Sequence, residues 1–500
     1  MKQVTKLTNQ FCLVICQIER NGIKIDTKEL NRIEVEYTKR HKKLTKELEI
    51  LSSRAVGAKA VNLNSPTQMS QLIYSWEFKS KDAKKLWKST FNLGKDLRPH
   101  IPKQAKFNIE VRSMMRVAHK TKQVKCDVCE GKGKIKKYTK TGRLYKKLPN
   151  CKDCEGCGYQ YPELKPIAGF KQIPLPEDVT ANGFTTKKEV LLKLVETAEG
   201  DAKEFLTKLV EYNAISVYLS SFVGGIKRGI RSNDILHPSL LQHSTATGRL
   251  SSRDPNFQNQ PRGDTFPIRR VVVSRWKGGK ITEGDYSGLE FRCAVDMAQD
   301  KQGIQDILDG ADQHQICADF HGCSRQDAKP HTFGPLYGKI TPYTEVFYNR
   351  FEGIEMWHTR LMDTALATGE IVIPSGRIYK FPYVKRMKNG NVTNHTKIKN
   401  YPVQGLATAD IVPLAVIMIY NEFKKLKLKS LLINTVHDSV VIDTHPTEIK
   451  LVPEILHRVM PSVVDEVEKR FGYRFTVPLD IEVKMGANWL DTKVILDERV

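Results

Sequence analysis

The sequence has no run approaching the roughly 18 consecutive apolar residues that carry a helix across a bilayer, so no membrane span is expected. It also lacks an export signal. The one short apolar run near the N-terminus, Phe11 to Ile18, is interrupted by cysteines and Gln17. Charged residues follow it in place of a small-residue cleavage site, so it reads as the first core element of a cytoplasmic protein. Low-complexity tails are missing. Acidic residues are scarce: 56 Asp and Glu stand against 80 Lys and Arg, a net charge of +24. That imbalance favours a polyanionic partner, because each neutralised phosphate releases a condensed counterion. A merely basic soluble protein, or one meeting an anionic membrane surface, would show the same excess. The remainder is ordinarily globular, 40% hydrophobic and 27% charged over 500 residues, enough for two or three packed units.

Residues 26–53 read as one long helix. Asp26 and Glu29 give a start like a capping box, and Leu30, Ile33, Tyr37, Leu44, Leu48 and Leu51 recur at steps that make a narrow packing seam. Ser65-Pro66-Thr67-Gln68 marks a second helix start. Residues 78–125 are strongly basic with scattered aromatics, 160–186 form a Pro-rich connector, and a helical pattern resumes from Thr185 to about Val223. From about residue 240 short strand-like runs appear, Val271–Val273, Lys280–Gly284 and Leu431–Val436, separated by helices. This mixture predicts an α+β or α/β core.

Ten cysteines without an export signal favour metal over disulfide. Cys126-Asp-Val-Cys129-Glu-Gly-Lys-Gly and Cys151-Lys-Asp-Cys154-Glu-Gly-Cys157-Gly are two CxxCxGxG units. Each can offer two thiolates, and glycines permit the tight turns that follow, so Cys126, Cys129, Cys151 and Cys154 make a closed tetrahedral Zn²⁺ site. The segment between them, around Thr141-Gly142, reads as a β-hairpin. Reduced cysteines or a redox pair are the alternatives, with Cys157 as a spare. The paired units resemble the zinc module of J-domain chaperones over this segment alone; no His-Pro-Asp signature accompanies them.

Four features of the second half carry chemistry. Asp285 ends a strand and precedes a helix, which exposes its carboxylate at a sheet end. Asp438 lies in a His437-Asp438 pair between two apolar runs, which reads as a tight hairpin. Two such carboxylates can hold two Mg²⁺ for phosphoryl transfer. Each aspartate taken singly is more simply a turn residue. Arg325, Lys329, Phe333 and Tyr337 follow at steps of four, two cations and then two aromatics, able to grip a triphosphate and stack a base or sugar. An amphipathic helix with snorkelling cations is the simpler reading of that stripe. Pro330 and Pro335 interrupt it, and an interior proline costs about 3 kcal/mol, so this helix is expected to kink or break. Finally, Thr245-Ala-Thr-Gly248-Arg249-Leu-Ser-Ser…Pro-Asn256-Phe-Gln258-Asn is a polar loop whose Arg and amides suit phosphate and minor-groove contacts.

Together the Thr-Ala-Thr-Gly-Arg…Pro-Asn-Phe-Gln-Asn loop, Asp285-Tyr-Ser-Gly-Leu-Glu290-Phe-Arg, the Arg-Lys-Phe-Tyr-Gly stripe and Val-His-Asp resemble family A DNA polymerases, the bacterial DNA polymerase I type. The resemblance covers about residues 10–75 and 185–490. It implies a right-hand fold: a helical thumb within 1–240, a zinc insert at 100–165, palm at 241–310 and 401–500, and fingers at 311–400. It implies a template-directed DNA polymerase acting in replication or repair on primer–template DNA and dNTPs. Asp285, Asp438 and the Tyr286 carbonyl would hold Mg²⁺. Glu290 would exclude a 2′ hydroxyl. Arg325, Lys329 and His314 would bind the triphosphate, with Lys329 protonating pyrophosphate, and Phe333 and Tyr337 would flank the sugar and nascent pair. Arg249 and Gln404 would read the minor groove, with Asn256 and Gln258 in the same loop motif, and His437 would lie near the primer end. Where the family has Glu after His-Asp, this chain has Ser439.

The chain starts at the thumb and shows no exonuclease carboxylates, so no proofreading in cis is expected; an accessory clamp, a helicase or a separate exonuclease would be partners. A single-subunit RNA polymerase is the first alternative, opposed by Glu290. A catalytically inactive nucleic-acid-binding protein derived from a polymerase is the second, opposed by retention of both aspartates and both cations.

Overall fold

The computed structural model describes residues 2–56, 61–74, 124–126, 128–138, 142, 148–152, 159–160, 169–172, 179–180, 183–338, 340–388 and 390–496. The chain divides into two compact units. One comprises Met1–Glu36 with Tyr218–Val500, and the other Tyr37–Val217.

The larger unit begins with helix α1, Lys2–Asn21. Its Phe11, Val14, Ile15 and Ile18 are buried on one stripe while Cys12 and Cys16 stay exposed. The apolar run therefore is a core element, as its spacing suggested. Helix α2 spans Thr27–Val56, and every seam residue from Leu30 to Leu51 is buried. Asp26 accepts from the backbone N–H groups of Lys28 and Glu29, both at 3.0 Å, which satisfies two orphan donors of the first turn. The reciprocal half of the capping box is not made, because Glu29 pairs with Arg32.

A five-stranded antiparallel sheet forms the centre of this unit. Strands β1 (Lys280–Tyr286), β2 (Leu431–Val436), β3 (Ser439–Thr444), β4 (Ile481–Gly486) and β5 (Thr492–Leu496) lie in the order β2-β3-β1-β4-β5. β3 and β4 flank β1, with Ser439 and Glu482 both opposite Asp285. The two faces differ. Gly284 lies under helix α8, Leu451–Val459, where a Cβ would come within 2.9 Å of Met460 Sδ and 3.2 Å of Leu456. Tyr286 points the same way, its hydroxyl donating to Met460 O at 2.7 Å. Alternation along β1 therefore turns Glu283 and Asp285 to the opposite face. Val271–Val273 is not a strand: Ile268–Val271 is a 3-10 turn, and Val272 and Val273 make only single bridges, to Ile25 and Asn488. The β-branched run was too short to pair as a ladder.

Helices α3 (Leu289–Ala298), α4 (Gln313–His321) and α5 (Arg325–Leu336) follow β1. α5 is one continuous helix with Pro330 and Pro335 inside it, so the expected break is absent. Ala328, Thr332 and Leu336 are buried at four-residue steps. That packing offsets the lost N–H donors. Helices α6 (His395–Gln404) and α7 (Val412–Lys425) are joined through π-helical Gly405–Ile411. The joined run His395–Lys425 is long and apolar enough to cross a membrane, contrary to the expectation from sequence. It is mostly buried, however, with Leu406, Ile411, Leu414 and Val416 in the main core, as in a core helix. Its one buried carboxylate, Asp410, is paired with Arg377 at 2.7 Å.

In the smaller unit, the later part of α2 and Gly200–Val217 are tied by Arg40–Glu211 and Lys208–Glu47 pairs and by stacking of His41 on Tyr212. Pro66–Tyr74 is helical as expected, with Ser65 Oγ accepting from Gln68 N–H. The basic segment 78–125 and the connector 160–186 lie largely outside the described residues.

Candidate active site

Asp285 sits near the end of β1, and the His437-Asp438 pair forms the two-residue turn between β2 and β3. Such turns need positive φ, and His437 adopts +60°. The register sets Ser439 opposite Asp285, and the Tyr286 N–H donates to Asp438 O at 3.2 Å, so the two aspartates are neighbours. Burial, the Asp438 carboxylate and the Glu283 carboxylate push Asp285 up to about 8. Burial also raises Asp438, opposed by its hydrogen bond with Asp285. Without a cation the pair therefore retains a proton near neutrality. Asp285 Oδ1 is buried with no hydrogen-bond partner among the described residues. An all-oxygen, acidic pair with an orphaned oxygen is what a hard divalent cation fits. His437 is held down to about 4 by burial and by Arg249, Arg262 and Arg269, so it is neutral at physiological pH.

A cavity of about 540 Å³ opens beside Asp285. Its lining includes His314, Arg325 and Lys329, together with Asp480, Glu482 and Lys484. Asp312 caps α4 by accepting from the N–H groups of His314 and Gln315, and it also holds Arg325 Nε at 2.7 Å. His314 Nδ1 lies 3.1 Å from Thr332 Oγ1, and burial lowers its pKa. Lys329 has no carboxylate partner among the described residues. Three nitrogenous groups from two helices thus share one cavity with the Asp285 carboxylate, a set suited to a polyphosphate carrying metal ions.

Glu290, one residue into α3, receives a hydrogen bond from the Tyr337 hydroxyl. Burial raises the Glu290 pKa and the tyrosine contact opposes it. These two residues, far apart in sequence, are brought together at the edge of the aspartate pair. Phe333 lies in α5 between Lys329 and Tyr337, and its side chain is outside the described residues.

The polar loop is more ordered than a surface loop: Ser239–Leu241 pairs with Ser251–Arg253 on either side of it. Gly248 takes φ +84°, and an added Cβ would meet Ala409 and Arg377 within about 3 Å. A narrow cleft gathers Arg249, Gln258, Thr408, Thr435 and His437. Arg249 Nε is buried there without a hydrogen-bond partner among the described residues. Gln258, by contrast, is buried and donates to Thr435 O, so it ties the loop to β2. Asn256 is exposed and accepts from Gln258 N–H at 2.9 Å. Gln404 ends α6, half-buried.

In the smaller unit the Sγ atoms of Cys126, Cys129 and Cys151 lie within 4.8 Å of one another, all buried. The Gly133 N–H donates to Cys129 Sγ at 3.2 Å, as thiolate-supporting amides do. Antiparallel pairing of the intervening arms is seen at Lys134 and Asn150 and in the Ile135–Pro149 and Cys151–Gly133 hydrogen bonds. Cys154 lies outside the described residues.

Sequence reasoning missed Glu283, Glu482, Asp480, Lys484 and Arg262. Arg262 is a charge neighbour of both aspartates and lowers the pKa of each. Asp480-Ile-Glu482-Val-Lys484 carried a readable signal: charges at alternate positions of a strand share one face.

Residues 168–491 match the model of DNA polymerase family A. The chain is 29% identical over 355 residues to DNA polymerase I of Caldicellulosiruptor bescii, covering 65% of this chain and 40% of that protein. It is 27% identical over 352 residues to the thermostable DNA polymerase I of Thermus aquaticus, again with 65% and 40% covered. It thus spans about two fifths of the length of these curated relatives. Among solved structures, the POL domain of Pol1 from M. smegmatis, in complex with DNA primer-template and dNTP, is similar with a TM-score of 0.65 and 20% identity, covering 97% of this chain and 70% of that one. The α+β architecture built on β1–β5 is therefore the right-hand polymerase fold, and the matched segment contains the aspartate pair and every residue lining the cavity beside it. This chain belongs to DNA polymerase family A.

Proposed function

We propose that the chain is a template-directed DNA polymerase that extends a primer 3′ end with deoxynucleotides. The observation that carries the reading is the adjacency of Asp285 to Asp438, with Asp285 lining a cavity that His314, Arg325 and Lys329 also line. Asp285, Asp438 and the Tyr286 carbonyl would hold two Mg²⁺. What bound magnesium supplies is activation of the 3′ hydroxyl and neutralisation of charge on the departing pyrophosphate.

The chain's own groups do the rest. Arg325 exchanges Asp312 for the triphosphate, His314 contacts it as a neutral donor, and Lys329 gives a proton to the leaving oxygen. Glu290, braced by Tyr337, fills the space a 2′ hydroxyl would need, which favours deoxynucleotides over the RNA-polymerase alternative. Phe333 and Tyr337 flank the nascent pair. Arg249, Asn256 and Gln404 face minor-groove or phosphate acceptors, and His437 the primer end. Gln258 acts by holding the loop.

Cys126, Cys129 and Cys151, with Cys154 as fourth ligand, would hold a structural Zn²⁺ that ties together the insert at 100–165 within the thumb. The relatives' names, and the DNA primer-template and dNTP bound by the M. smegmatis protein, support the same substrates here. Primer extension with deoxynucleotides and ribonucleotides in separate reactions tests the reading. Extension by ribonucleotides alone would turn it to an RNA polymerase, and binding without extension to an inactive relative.

A further inference from the structure

We infer that Glu283 is a third carboxylate of the metal site, delivered from β1 to the place that a glutamate following His437-Asp438 would otherwise fill. This rests on the polymerase reading above. Three observations carry it. First, Glu283 and Asp285 are two residues apart on one strand, and the helix-facing positions Gly284 and Tyr286 alternate with them, so both carboxylates project from the same face. Second, position 439 is serine, and Ser439 stands directly opposite Asp285 in the β3–β1 ladder, which turns its side chain to that face as well. Third, Ser439 Oγ lies 3.1 Å from Glu283 Oε1, its hydroxyl shared between that carboxylate and the Val436 carbonyl at 3.0 Å. The two positions therefore share one volume. A glutamate at 439 would drive its carboxylate into the space that Glu283 already occupies, so this site takes its extra carboxylate from one strand or from the other.

A purely structural pairing of Glu283 with Arg269 is the competing explanation. Arg269 Nη1 lies 3.8 Å from Glu283 Oε1, beyond hydrogen-bond length, while the guanidinium stacks on Trp489 at 4.0 Å and reaches Gln260 O at 3.4 Å. Arg269 thus balances the charge without closing off the carboxylate. Glu283 is only 8% exposed, so the cost of burying it is met only in part by that distant cation. A divalent ion beside Asp285 completes the balance.

The test is Mn²⁺ binding to the full chain without nucleotide or DNA, read as free Mn²⁺ by electron paramagnetic resonance. Wild type is compared with Glu283→Gln, Glu283→Ser, the exchange Glu283→Ser with Ser439→Glu, and Asp438→Asn. Groups that support a metal site commonly change its affinity about 10- to 100-fold. We expect Glu283→Gln to weaken Mn²⁺ binding by about tenfold or more, and the exchange to recover most of that loss. Wild-type affinity in Glu283→Gln, with binding weakened in Asp438→Asn, would overturn this inference and leave the polymerase reading standing. Wild-type affinity in Asp438→Asn would overturn both. Circular dichroism reports folding. If the single variants fail to fold, an exchange that folds and binds Mn²⁺ supports the inference, and one that fails to fold or binds no better than Glu283→Ser overturns it.

Discussion

Asp285 destabilises the folded chain when no cation is bound, because its carboxylate is buried beside two others. Its pKa in the folded state, about 8, lies above the ordinary 3.8. Protonation therefore favours folding: the contribution is whole below about pH 4 and is lost as pH rises through 8. Magnesium competes with that proton, so the rise in Tm on adding Mg²⁺ should grow between about pH 5.5 and 8.5. Equal rises across that range would count against the pair as the binding site. In metal-free buffer at about pH 8.5, Asp285→Asn should melt higher than wild type, because it removes the buried charge. At Glu290 the prediction concerns selectivity. Glu290→Ala should raise ribonucleotide incorporation relative to deoxynucleotide by about 10²-fold or more, an effect of roughly 3 kcal/mol, read from the ratio of kcat/KM values.

These residues differed in how visible they were. Asp285, Asp438, His314, Arg325 and Lys329 stand in ordered motifs, so sequence reasoning reached them. Glu283 enters the site only through strand register and Arg262 only through tertiary packing, and neither is written in local spacing, whereas Glu482 was within reach of the alternating Asp480, Glu482 and Lys484. Gln258 was visible as a motif member, but its inward hydrogen bond to Thr435 O is a tertiary fact.

The same division holds for elements. The β2–β3 hairpin and the long helix α2 were legible, because two apolar runs around a two-residue turn and a narrow apolar seam are local signals. The continuity of α5 was not. Two prolines argue for a break on propensity alone, and the burial of Ala328, Thr332 and Leu336 outweighs them. Nor did sequence disclose the role of the hairpin Glu370–Val372 and Ile378–Lys380. Its Tyr379 hydroxyl donates to Thr247 O at 2.8 Å, and its neighbour Arg377 pairs with buried Asp410, where Ser375 also donates at 2.6 Å. Asp410→Ala would leave Arg377 uncompensated in the core. Breaking such a pair costs about 3–5 kcal/mol, to be seen as a lower midpoint in urea denaturation. A midpoint within error of wild type would mean the network does not brace the loop that carries Arg249.

At the scale of the molecule, the net charge of +24 suits the proposed duplex partner, but charge alone could not separate DNA from any other polyanion. The paired CxxCxGxG units were the plainest signal in the smaller unit, and three of their cysteines do converge. Metal analysis of the purified chain should find one zinc per chain, and Cys126→Ser with Cys151→Ser should abolish it. If the insert grips duplex, excising residues 110–165 should shorten extension products and flatten the salt dependence of DNA binding. Unchanged products would leave it a partner dock or a folding element.

The central claim is that Asp285 and Asp438 form a metal-dependent nucleotidyl-transfer site. Primer extension on a defined template with Mg²⁺ and deoxynucleotides, wild type beside Asp438→Ala, tests it most directly. We predict template-directed extension by wild type and a loss of about 10³-fold or more in the variant, in keeping with the several kcal/mol that metal catalysis supplies. A variant that extends the primer at the wild-type rate would contradict the account.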